Sequence, residues 1–170
     1  MSATSGTDYK SCTPTAAGDD DGSVYSPNIP YVGVIPHGLA AGKSILVKGL
    51  VVSGRDKRFT INLSCGLLVE GDKPDDIALH LGFRLDENVL VLNTLTGGKW
   101  GDERRFTNPA RRGQAFEVRI LAQVDSFHVA VNGQNLCEFG YRLAVHTVKT
   151  IYIKGCVQVD AIQYEQTSQP

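Results

Sequence analysis

"LHLGFRLDENVLVLNTLTGGKWGDERR", residues 79–105, alternates apolar and polar side chains until it breaks at Gly97-Gly98. Leu79, Leu81 and Phe83 share one face with Ile77 just before them, and Ala78, His80, Gly82 and Arg84 share the other. In "VLVLN", Leu90 and Leu92 can turn inward and leave Val91 and Asn93 outward; in "WGDERR", Glu103 and Arg105 fall on one side. Period-two alternation is the pattern of a strand with one buried face. It recurs along the chain. "RFTINL" aligns Phe59, Ile61 and Leu63, "FEVRI" aligns Phe116, Val118 and Ile120, and "FHVAVN" aligns Phe127, Val129 and Val131. No convincing helical stripe competes with it. Glycine-bearing breaks ("EGDKPDD", "TGGKWG", "RRGQ", "VNGQ") separate the runs, and Asn132-Gly133 suits the tight turn of a hairpin. Many short strands with such turns predict an all-β fold, an antiparallel β-sandwich.

Composition sets outer limits. The chain has 170 residues, 42% apolar and 21% charged, which suits one domain with a real core. Its 17 basic and 18 acidic residues leave a formal charge of −1, which argues against a nucleic-acid partner. The basic run "DERRFTNPARRGQ" reads as a solvated loop. Residues 1–28 are rich in Ser, Thr, Gly, Ala and Asp and read as a flexible tail; residues 29–165 form the domain, and 166–170 a short C-terminal tail. No apolar signal-peptide run or membrane-length segment is present, so cytoplasmic synthesis without membrane insertion is expected. Cys12, Cys65, Cys137 and Cys156 lie far apart with no metal-binding spacing, which predicts free thiols and no zinc. Asn62-Leu63-Ser64 is a formal glycosylation triplet that has no use outside the secretory route.

The polar face of the middle strands carries the chemistry. Were those strands neighbours, His80, Arg84, Asn93, Glu103 and Arg105 would form one patch beside Trp100, the sole tryptophan. Arg offers a planar fork of donors, Glu offers acceptors, and His and Asn offer either. An indole offers a flat apolar face, on which the C–H face of a galactose-like sugar can lie. Each residue alone has a plainer reading, as surface pair, satisfied histidine or core aromatic; the joint spacing is the signal. Nothing points to catalysis: no glycosidase-like carboxylate pair stands out, Glu103 among arginines is a poor general acid, and no Ser or Cys has an evident base.

These residues resemble the motif of the galectins, the β-galactoside-binding lectins: H-x-N-P-R, then V-x-N, then W-G-x-E-x-R. The chain reads "HLGFR" at 80–84, "VLN" at 91–93 and "WGDERR" at 100–105, and the likeness extends over roughly residues 29–164. The resemblance implies a jelly-roll sandwich of five- and six-stranded sheets with the sugar on the concave six-stranded face. It implies that His80 and Arg84 contact the axial 4-hydroxyl of galactose, that Asn93 and Glu103 hold the 6-hydroxyl, that Trp100 stacks beneath the ring, and that Arg105 with Glu103 reaches the next sugar. No metal or cofactor is implied. The implied partners are galactose-containing glycans and glycoproteins, met inside the cell or after export without a signal peptide. Cross-linking would need a homodimer, for which the edge strands near Tyr31 and near residues 157–162 are candidates.

Two positions depart from the motif: Gly82 stands where the family has Asn, and Phe83 where it has Pro. Losing one ligand hydrogen bond costs about 0.5–1.5 kcal/mol, which predicts a site weakened or retuned. The competing expectation is a galectin fold without useful sugar affinity, acting as a protein-binding or structural module.

Overall fold

A computed structural model describes residues 22–167. Two antiparallel sheets pack face to face. One has seven strands in the order β8-β6-β5-β4-β12-β2, with β7 pairing β6 off that path; the other has six, β11-β10-β9-β3-β13-β1. The strands are β1 (Val24–Tyr25), β2 (Tyr31–Val34), β3 (Lys43–Val51), β4 (Arg58–Ser64), β5 (Ile77–Arg84), β6 (Val89–Thr96), β7 (Lys99–Trp100), β8 (Arg104–Thr107), β9 (Ala115–Ala122), β10 (Ser126–Val131), β11 (Gln134–Gly140), β12 (Thr150–Gly155) and β13 (Val157–Gln166). Each sheet thus exceeds the expected count by one strand of two residues, β1 in one and β7 in the other.

The inward faces are those the alternation marked. Phe59, Ile61, Leu63, Leu79, Leu81, Phe83, Leu90 and Leu92 from one sheet meet Phe116, Val118, Ile120, Phe127, Val129 and Val131 from the other. Burying each such side chain stabilises by roughly 1.5–3 kcal/mol. Phe83 lies stacked on Phe59 at 4.2 Å, and β5 keeps its register with both neighbours from His80 to Arg84. The residue in proline's place is therefore a core side chain and does not displace the strand. The Asn132-Gly133 hairpin forms as expected, with φ of 53° and 79°.

Three features differ from the sequence reading. Ala78 is 1% exposed and in the core, because the register shifts between Ile77 and His80 and breaks the alternation there. Residues 24–25, read as tail, form β1, which pairs with β13, and Val24 packs on the core; residues 1–21 and Cys12 lie outside the described residues. β1 covers β13 at Ala161 and Ile162, so only the first part of the stretch 157–162 remains an edge among the described residues, as β2 does. Cys65, Cys137 and Cys156 are free thiols. No described helix is long and apolar enough to cross a membrane.

Candidate functional site

The register of β4, β5, β6 and β8 places the polar residues in rows. His80 faces Asn62 on β4 and Asn93 on β6; Gly82 faces Thr60 and Val91; Arg84 faces Arg58 and Val89. On the other side of β6, Arg105 faces Val91.

Beyond β6 the chain turns through Gly97 and Gly98, both at positive φ (58° and 80°), a conformation that favours glycine. This turn returns β7 along β6, so that Trp100 pairs with Leu95. Asn93 fastens the return: its Nδ2 donates to the Gly101 carbonyl at 3.0 Å. Its Oδ1 accepts from the Thr94 amide at 2.7 Å and from Arg142 Nη1 at 3.2 Å. Asn93 is 3% exposed and keeps one N–H free of these bonds for a ligand. Trp100 remains 54% exposed, although indoles are highly buried on average.

His80 is held from two sides. Its Nδ1 donates to Asn62 Oδ1 at 2.7 Å, and its ring meets Trp100 at 4.9 Å with the planes tilted by 59°. Burial, reinforced by the Arg84 and Lys154 charges and partly offset by Glu103, lowers its pKa to about 4. The ring is therefore neutral at physiological pH. With its proton on Nδ1, Nε2 is a bare acceptor.

The remaining groups form a chain of alternating charge. Glu103 Oε1 accepts from Arg105 Nε at 2.9 Å, with Nη2 also at 2.9 Å, while its Oε2 lies 3.7 Å from Arg84 Nη2. Glu87 bridges Arg84 Nη1 at 3.6 Å and Arg58 Nη2 at 3.2 Å. Exposed pairs of this kind add about 0–1 kcal/mol each to stability. Their effect here is to hold the guanidinium planes before any ligand arrives, which lowers the ordering cost of binding.

His80, Arg84, Asn93, Trp100 and Glu103 line one shallow cavity of about 310 Å³, together with Arg58 and Val91. Arg105 is outside that lining. It stands behind Glu103 and lines a neighbouring hollow with Glu87, Asn88 and Val89. A broader hollow of about 590 Å³ opens beyond Arg58, between Arg55, Lys57, Thr60 and Lys154. Sequence reasoning missed three participants. Asn62, noted only for its triplet, is 6% exposed and engaged with His80. Arg58 and Asn62 alternate outward on β4, which was a usable signal. Arg142 arrives from the chain after β11 in the other sheet, which no local pattern announces. Among the described residues no cluster of His, Cys, Asp or Glu is placed to hold a metal ion.

Comparison with known proteins agrees with this geometry. Residues 30–164 match the family model described as galactoside-binding lectin. The chain is 37% identical to Galectin-4 of Homo sapiens over 142 residues, covering 82% of this chain and 42% of that protein. It is 35% identical to Galectin-7 of Homo sapiens over 137 residues, covering 80% of this chain and 97% of that one. The chain thus spans under half the length of Galectin-4 and nearly all of Galectin-7. The crystal structure of Caenorhabditis elegans galectin LEC-6 superposes with a TM-score of 0.77 at 28% identity, covering 88% of this chain and all of that one.

Proposed function

This chain belongs to the galactoside-binding lectin family, and from that premise we propose that it binds β-galactoside-type glycans, without a metal, on the outward face of its seven-stranded sheet. The family binds sugars rather than transforming them, and the chain is not an enzyme. One observation carries the proposal: five polar or aromatic groups from β5, β6 and the β7–β8 segment converge on one open cavity whose rim is an exposed indole.

In this reading the sugar's apolar face lies on Trp100. Nε2 of His80 accepts from a ring hydroxyl, and Arg84 donates to the same edge of the sugar. Asn93 Nδ2 and Glu103 hold a second hydroxyl. Arg105 acts through Glu103 and extends toward the next sugar residue. Galactose-containing glycans and glycoproteins are the partners. A single site does not cross-link, so agglutination requires a homodimer, with the free edge β2 as the candidate contact.

A second reading, a galectin fold serving as a protein-binding module, is favoured by the missing amide at Gly82 and by the three hydrogen bonds that already occupy Asn93. A glycan array with the purified full chain, followed by calorimetric titration with lactose, separates the two. Saturable binding to galactosides supports the lectin reading. An array with no galactoside signal, and no lactose heat up to tens of millimolar, overturns it.

A further inference from the structure

Gly82 is not there for its backbone. It has no left-handed φ, and it pairs in register with Thr60 on one side and Val91 on the other. Any residue could adopt that conformation. What a side chain there would meet, in this pose, is the histidine two residues earlier. A Cβ built at position 82 lies 2.7 Å from His80 Nε2, 3.4 Å from Cε1 and 3.6 Å from Cδ2. The imidazole lies down along β5 over the glycine, which is why Gly82, on the outward face, is nonetheless buried. Asn62 anchors the far side of the ring at 2.7 Å, and Trp100 flanks it at 4.9 Å. The ring occupies the space that a side chain of residue 82 would take.

We infer that Gly82 is a specificity-determining position: its missing side chain lets His80 lie across the strand and puts Nε2 where a side chain of residue 82 would otherwise project. The floor of the cavity then reads the ligand there through a lone-pair acceptor alone. An amide at 82 would offer both a donor and an acceptor. Arg84, on the same face, only donates. Between Nε2 and Arg84 the site accommodates a group that both gives and takes a hydrogen bond, which a free hydroxyl does and an ether does not. The inference deepens the lectin reading and rests on it for the ligand, but the pose of His80 can be tested without one.

The direct test is Gly82→Ala, which adds the offending carbon and no polar atom. If the glycine merely lacks a hydrogen bond, Ala is neutral. If it makes room for His80, Ala expels the ring. Three measurements on the full chain read the difference. First, the imidazole of His80, followed by NMR against Arg58, Arg84, Glu103 and Lys154 as its charged surroundings, titrates at least about one pH unit higher in Gly82→Ala than in the wild type. Second, Gly82→Ala lowers the melting temperature by roughly 3 °C in the wild-type background and leaves it unchanged or higher in a His80→Ala background. Third, lactose binding falls about fivefold or more in both Gly82→Ala and Gly82→Asn. An unmoved titration together with additive melting shifts overturns the pose, and an Asn variant that binds lactose more tightly overturns the specificity role. Absence of lactose binding in the wild type removes the lectin reading and leaves the first two measurements to decide the pose.

Discussion

The two sheets display similar residues on their outward faces, yet the candidate site lies on one of them. Each has a histidine bonded to an asparagine on the adjacent strand, His80 to Asn62 at 2.7 Å on one and His128 to Asn135 at 3.0 Å on the other. Each has an Arg–Glu contact within 3.0 Å, Arg105 with Glu103 and Arg119 with Glu165. The difference lies in what rises from the ends of the strands. On the seven-stranded sheet, the turn at Gly97-Gly98 lifts Trp100 and Glu103 beside the strands, and residues after Arg84 lift Glu87. Arg58 and Arg84 share Glu87 there, and Arg84 and Arg105 share Glu103. On the six-stranded sheet the Asn132-Gly133 turn is minimal, and the exposed Arg119 and Glu165 pair with each other. Alternation supplies polar side chains to any outward face; the connecting segments decide whether they converge.

Substitutions matched across the two faces can break or sharpen this contrast. The largest effect is expected at Trp100→Ala, which removes the wall and should cost about a hundredfold or more in lactose affinity, with circular dichroism unchanged. His128→Ala on the opposite face should leave affinity alone, and comparable losses from both would end the contrast.

Acidification comes next. The folded pKa of His80, about 4, lies below the unfolded value near 6.5, so the unfolded chain binds the proton first as pH falls. His80 therefore contributes no pH dependence above about pH 7, and stability declines from pH 6.5 towards 4, by about 2 kcal/mol at pH 5. Denaturant melts of wild type and His80→Ala at pH 7.5 and 5 measure it; equal slopes in the two proteins would contradict the buried neutral ring. Lactose affinity should hold nearly level down to about pH 5 and fall once Nε2 is protonated near pH 4.

Glu103→Gln should weaken lactose binding about tenfold by releasing both Arg84 and Arg105. Glu165→Gln should change stability by no more than about 0.5 kcal/mol and binding not at all. Calorimetry on the pair of variants decides whether the network or the mere presence of charge matters. The smallest effect is expected from deleting residues 1–21: every lining residue falls between Arg58 and Glu103, so affinity should stay within about twofold.

The alternation was enough to read the sandwich and the inward face, because a buried strand face admits only apolar side chains. It failed at Ala78, where an extra residue shifts the register, and at Val24, where a pair of residues in a polar segment adds a strand. In the site, His80, Arg84, Asn93, Trp100 and Glu103 were legible because they lie on contiguous strands joined by short turns. Arg58 and Asn62 needed the β4–β5 register, across the intervening loop. Arg142 needed the packing of one sheet's end against the other. The state of position 82 needed a side-chain angle, which no spacing encodes.

The hairpin that lifts Trp100 also gives the molecule its own optical gauge. With one tryptophan in the chain and its ring more than half in water, ultraviolet emission comes chiefly from the rim of the groove. A ligand lying on the indole replaces water with C–H groups and shifts that emission toward the blue. A proton arriving on the imidazole 4.9 Å away quenches it. Colour and brightness therefore report two different events at one place, without a label and in the unaltered protein.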